Sequence, residues 1–194
     1  MKKTDIKKLT FLALMTAIVA VLQFVGAFKL GIFSVCPVLI PIVLGAAICG
    51  PLAGAWLGLV FSVVVLLSGD AAAFLAVDVL GTILTVILKG TLAGYVSGVL
   101  YKLVSRRSVT AGAITAAVAA PVVNTGVFLL GCLVFFLDTV AKWGESLGFA
   151  STGAYMIFGL AGANFLFEFG LNMVLCPVII RLIGIRARSE KVKW

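Results

Sequence analysis

The stretch VLGTILTVILKGTLAGYVSGVLYKLV, Val79 to Val104, with the basic loop SRRS, Ser105 to Ser108, behind it, decides the fold. A helix that crosses the hydrocarbon core of a bilayer needs about 20 predominantly apolar residues. This stretch exceeds that length, enough to tilt, and its one charge away from the basic end is Lys89. The whole chain follows the same pattern. Hydrophobic residues make up 63% of it and charged residues 11%, against roughly half and a quarter in an ordinary globular domain. A water-soluble domain of 194 residues could not hide that much apolar surface. The expected fold class is therefore all-α: an integral membrane bundle, since helices satisfy their own backbone groups where no water can.

Working outward, hydropathy predicts six transmembrane helices, at about 9–28, 32–49, 52–67, 79–104, 111–136 and 155–183, in a single transmembrane domain over 1–194. The lysine-rich lead resembles the start of a signal peptide, but the apolar stretch after it is too long for one and is read as a retained helix. Pro37 and Pro41 predict a kink or an irregular first turn in the second span. Gly50-Pro51 marks a tight turn. The segment SGDAAAFLAVD, Ser68 to Asp78, is read as an external loop or a re-entrant segment, and Pro121 is expected to interrupt the fifth span. No internal repeat is visible, which disfavours an inverted-repeat carrier.

The net charge of +8 is not spread over a nucleic-acid face. Lys2, Lys3, Lys7 and Lys8, then Lys102, Arg106 and Arg107, then Arg181, Arg186, Arg188, Lys191 and Lys193 all flank apolar spans. With the N-terminus inside, those twelve lie at cytoplasmic edges, Lys29 and Lys142 lie outside, and Lys89 lies within a span. The bias of cytoplasmic loops toward Lys and Arg predicts that both termini are cytoplasmic. The partner of this charge is anionic membrane lipid, with no nucleic acid.

The chain has four cysteines and no histidine. Cys36, Cys49, Cys132 and Cys176 lack metal-ligand spacing and read as small buried hydrophobes. Without histidine the usual zinc and haem sites and Ser-His triads are excluded. No P-loop or HExxH motif is present, and Ser62, Ser68 and Ser97 have no base beside them. No enzyme, no cofactor and no metal are expected.

Small residues recur at intervals of four: Gly54, Gly58 and Ser62 in the third span, Gly90, Gly94 and Gly98 in the fourth, Ala13 and Ala17 in the first. Such faces let helices approach closely in lipid. For the third and fourth spans the reading is packing within the chain. For Ala13 and Ala17 it is either that or an interface with another protein. Polar residues inside spans are costly and carry information. These are Lys89, Asn124, and the trio Asn164, Glu168 and Asn172, spaced by four and so on one helical face. Two readings stand: an ion pair with interhelical amide bonds that locks the bundle, or the lining of a polar cavity. Asp70 and Asp78 are either solvated loop charges or neighbours of its entrance.

Taken together these segments resemble the substrate-binding S components of energy-coupling factor (ECF) transporters, prokaryotic importers of vitamins and related micronutrients. The likeness rests on the Lys-rich approach to Ala13-xxx-Ala17, on GAAICGPLAGAWLG (Gly45 to Gly58) and on LAGYVSGVLYKLV (Leu92 to Val104). The Asn-rich last span ending in LCPVIIRLI (Leu175 to Ile183) completes it. The resemblance implies a six-helix, multi-pass protein of the prokaryotic plasma membrane that captures a small water-soluble molecule from outside. It also implies partners, a transmembrane T component and two cytoplasmic ATPases that use the ATP, with Ala13 and Ala17 as the T-component contact. NTGVFLLG (Asn124 to Gly131) with Lys89 looks most like the pantothenate-type branch, while folate, riboflavin and thiamin are further candidates. Under this reading Lys89 is a point charge for a ligand carboxylate. Asn124, Asn164, Glu168 and Asn172 complete the substrate site. The alternative is a membrane scaffold or assembly protein with a structural polar core.

Overall fold

A computed structural model describes residues 3–25, 28–30, 33–35 and 37–191; Lys2, Gly31, Ile32, Cys36 and Lys193 lie outside them. The chain runs through helix α1 (Lys3–Val25), strands β1 (Phe28–Leu30) and β2 (Phe33–Val35), and helices α2 (Leu39–Cys49), α3 (Pro51–Ser68) and α4 (Ala72–Leu75). Then follow α5 (Val79–Val104), α6 (Val109–Phe135), α7 (Leu137–Ser146), α8 (Thr152–Ala154), a π-helical segment Tyr155–Gly162, and α9 (Ala163–Lys191).

Among the described residues, five helical stretches are long and apolar enough to cross a membrane: Ile6–Val25, Pro51–Ser68, Val79–Val104, Val109–Phe135 and Thr152–Leu182. The expected sixth span, 32–49, is not a helix of spanning length. Phe33–Val35 pairs antiparallel with Phe28–Leu30, Lys29 opposite Ser34, a small hairpin in an otherwise all-helical bundle. The helix that follows has only 11 residues, about 16 Å at 1.5 Å per residue, half the hydrocarbon core. Pro37 and Pro41 explain the short helix: each removes a backbone donor and disfavours helix in the residue before it. What α2 lacks in length it has in burial, with Leu39 to Ala46 buried except for half-buried Ile40.

Turns fall where the residues demand them. Gly50, at φ 104, ends α2 and Pro51 opens α3, the pairing of a left-handed glycine with a proline whose missing N–H costs nothing in a first turn. Gly69, at φ 86, ends α3. The Ser108 hydroxyl accepts a bond from Ala111 N, capping α6. The segment Ser68 to Asp78 forms one short helix, α4, between its two neighbours. Pro121 does not interrupt α6, which is continuous from Val109 to Phe135; neighbouring helices around its buried ring make such a proline tolerable.

The glycine ladders face each other. A Cβ on Gly58 would strike the carbonyl oxygen of Gly90, and one on Gly94 that of Gly54; one on Gly98 would lie 2.6 Å from Pro51 Cα. The backbones of α3 and α5 are therefore nearly in contact, and Ser62 Oγ bridges them, 2.7 Å from Val86 O and 2.9 Å from Gly58 O. Behind this seam Val19, Leu39, Ile42, Val43, Leu57, Ala113, Ala116, Ala120 and Ile179 form the main core. Outside, Leu14, Val21, Leu67, Leu80, Leu130, Phe158, Leu166 and Val174 are exposed on the long helices, a belt that lipid covers at no cost.

Candidate functional site

The bundle is solid at one end and hollow at the other. Residues that line a cavity of about 400 Å³ come from the final turns of α1, α3 and α6, the first turns of α5, and the connectors around α4 and α7. The π-helical segment and the start of α9 complete the wall. Every one of these lies toward the end opposite Lys8, Lys102, Arg106, Arg107 and Arg181. The volume falls within the range of about 300–1,000 Å³ usual for small-molecule sites.

Of the residues singled out in the sequence, Lys89, Asn124, Asn164 and Glu168 line this one cavity. Asn164 Nδ2 donates to Glu168 Oε1 at 3.3 Å, and the side chain of Asn124 lies beside the same carboxylate. Asn172, one turn further along α9, is on the expected face but does not line the cavity. It is buried and donates from Nδ2 to the backbone oxygen of Glu168 at 2.9 Å. The Lys89 ammonium stands over two aromatic faces, 5.8 Å from the Phe61 centroid and 5.3 Å from that of Phe128, distances at which a ring quadrupole attracts a cation. Ala13 and Ala17 are far from this cavity, exposed on the outer side of α1.

Several lining residues were not singled out from sequence. Gln23, the one amide of the first span, donates from Nε2 to Asp70 Oδ2 at 2.7 Å, and Ser68 Oγ lies 3.0 Å from the same oxygen. That contact ties the end of α1 to the loop after α3 and sets Asp70, but not Asp78, in the wall. Thr82 and Thr85 precede Lys89 along the same side of α5. Phe74 of α4 stands at the end of the cavity away from the basic residues, edge-on to Phe128 (5.6 Å), Phe136 (5.1 Å) and Trp143 (5.3 Å). Burying such edge-to-face groups gives a roof that holds by contact rather than by covalent continuity. The spacing of four back from Lys89 is the signal that would have found Thr85; nothing in the linear sequence marks the aromatic cluster.

The polar atoms of the cavity are incompletely used. Gln23 Oε1, Thr85 Oγ1, Asn124 Oδ1, Asn164 Oδ1 and Glu168 Oε2 are buried without a hydrogen-bond partner. In an interior, such groups cost about 1–3 kcal/mol each unless something answers them. No group of three or more Cys, Asp or Glu among the described residues could hold a metal ion, and Cys132 and Cys176 are in no disulfide.

The comparisons with known proteins accord with this geometry. The family model of the ECF transporter substrate-specific component matches residues 7–180, from the first turns of α1 into α9. No curated protein and no solved structure gives a significant match. With its long apolar helices the chain is a multi-pass protein of the prokaryotic plasma membrane. A match over that length makes it a membrane-embedded, substrate-binding subunit of a transporter, and the chain belongs to the family of ECF transporter substrate-specific components.

Proposed function

We propose that this chain captures a water-soluble, vitamin-sized micronutrient from outside the cell in the cavity roofed by Phe74, and passes it inward with a T component and two ATPases. The observation that carries the reading is the cluster of buried, unanswered polar atoms around a 400 Å³ space. A scaffold protein would close such a space with apolar side chains or pair its polar groups internally, because either choice is more stable in lipid.

Orientation follows from charge. The basic ends of α1, α5 and α9 and the loop after α5 belong at the cytoplasmic surface, which puts both termini inside and turns the cavity outward. Lys89, Asn124, Asn164 and Glu168 contact the captured molecule, while Asn172 supports Glu168 from below through its backbone. Ala13 and Ala17, exposed and small on α1, form the surface for the T component, since small residues let a partner helix come close.

Two pairs of substitutions test this. Lys89→Ala or Asn164→Ala should abolish uptake of the transported compound while leaving a folded, monodisperse protein, as judged by gel filtration and thermal denaturation. Loss of fold without an uptake phenotype specific to one compound would favour the scaffold. Ala13→Leu with Ala17→Leu should leave binding unchanged and stop transport and co-purification with the T component. Intact transport in that double variant would overturn the assignment of α1.

A further inference from the structure

We infer that Gly159 and Gly162 are positioning residues of the site. They hold the wide π-helical turn Tyr155–Gly162, and that turn sets Tyr155, rather than Met156, beside Asn164 and Glu168 in the cavity wall. The inference rests on the capture reading above and adds to it a side chain that the captured molecule meets.

The phase of the last span carries it. Leu160, Asn164 and Glu168 line the cavity at intervals of four, the stacking interval of an α-helix with about 3.6 residues per turn. One more step back along that face reaches Met156. Met156 is buried but is not in the wall; Tyr155 is. Tyr155 and Leu160 are five apart, and in a continuous α-helix positions five apart diverge by about 140° around the axis. In a π-helix the backbone bonds run to the fifth residue, so a turn takes up one residue more and positions five apart come into line. The wide turn therefore shifts the cavity face by one residue, at the border of the site. The turn carries Ile157 and Phe158 on its outer side, 57% and 72% exposed.

Two glycines make room for this geometry. A Cβ on Gly162 would lie 2.9 Å from the carbonyl oxygen of Ile157, five residues back. That oxygen belongs to backbone and cannot swing aside. A Cβ on Gly159 would run into the ring of Tyr155. The ring is confined on its other sides: Tyr155 is 2% exposed, its ring centroid is 5.2 Å from that of Phe149, and its Cβ would be 3.0 Å from a Cβ on Gly144 of α7. In an ordinary helix both glycines would be a disadvantage, since alanine is the more favourable interior residue. Wide turns of this kind occur mostly at functional sites, and the exchange made here has chemical content. Met156 would present a flexible thioether, whereas Tyr155 presents a flat ring and a hydroxyl that both donates and accepts.

The test uses the full chain in lipid nanodiscs. Pantothenate, folate, riboflavin and thiamin are titrated separately by calorimetry, and thermal midpoints are measured alongside. Gly162→Ala should drive the segment to α-helix, bring Met156 into the wall and lower the midpoint. It should weaken binding of whichever probe the unaltered protein takes by about tenfold or more, the scale of a lost hydrogen bond in a buried site. Deleting Phe158 from the Gly162→Ala protein places Tyr155 four residues before Leu160, and should restore both readings. A glycine that merely sits in a helix predicts the reverse. Alanine would then raise the midpoint, and the deletion would do damage by turning the segments on either side of it by about 100° relative to each other. Binding unchanged by Gly162→Ala overturns the inference, and so does a deletion that fails to restore what the alanine removed. If Gly162→Ala does not fold, the shortened double variant decides, its folding in support and its failure against. If the unaltered protein binds none of the four probes, that result counts against the capture reading for these compounds, and the midpoints judge the turn alone. A rise with Gly162→Ala then overturns the inference, and a fall reversed by the deletion supports it.

Discussion

Helix α5 belongs to two different molecules along its length. From Gly90 to Gly98 it is pressed against α3 until backbone meets backbone, every fourth residue a glycine. From Thr82 to Lys89 the same helix turns one side to a cavity, with threonine hydroxyls and an ammonium in the wall. In the inner half the side chains have been removed so that nothing separates the helices; in the outer half polar side chains are present that the fold does not satisfy. Under the proposed function, stability and recognition belong to opposite ends of one helix, with the boundary between Lys89 and Gly90.

If the division is sound, damage to the inner half should cost the fold. Gly94→Val is the harshest test, because any Cβ there meets the Gly54 carbonyl, which belongs to backbone and cannot swing aside. We expect destabilisation above about 3 kcal/mol, or no folded protein at all, read from monodisperse yield and the thermal midpoint. A Gly94→Val protein of normal stability would erase the distinction between the halves. Damage to the outer half should instead cost the ligand. Phe74→Ala removes the residue at which three aromatic contacts meet. It should speed ligand release by about tenfold, since affinity changes in related complexes fall mostly on the off-rate, while the thermal midpoint of the empty protein moves little. Stopped-flow release of bound ligand measures it, and an unchanged rate would mean the roof is not the barrier. Ser62→Ala sharpens the comparison at its finest scale. It deletes one hydroxyl bridging α3 and α5 at the boundary and should cost about 0.5–1 kcal/mol of stability, with no change in binding.

The sequence carried the inner half better than the outer one, for a physical reason. Gly54, Gly58, Gly90 and Gly94 announce close packing through local spacing alone, and their partnership needs only two helices to cross. The floor of the site was partly legible in the same way, since Asn164 and Glu168 sit one turn apart on α9. The rest of the site is assembled from places remote in the chain. Gln23 reaches Asp70 across 47 positions, and Phe74 meets Phe128, Phe136 and Trp143 from a four-residue helix inside a connector. No periodicity records such meetings. The span expected at 32–49 is shorter as a helix for a different reason. Hydropathy measures only that a segment avoids water, and here the chain returns from the cavity end to the basic end as a hairpin and a short helix enclosed in protein. Pro37 and Pro41 were the visible sign that the helix would start late.

That late start has a consequence for the empty and filled states of the protein. α2 packs Ile42 and Ala46 against the glycines of the inner half, and none of its residues reaches the cavity wall. Where a full-length helix would have continued outward, the chain supplies a three-residue hairpin pair instead. On the capture reading, the outer part of the bundle is left for the captured molecule to complete. Folding is then finished in two instalments, the second arriving from outside the cell. An unloaded protein should show fast amide exchange in the outer turns of α5, α6 and α9 and slow exchange in their inner turns, and loading should remove that contrast.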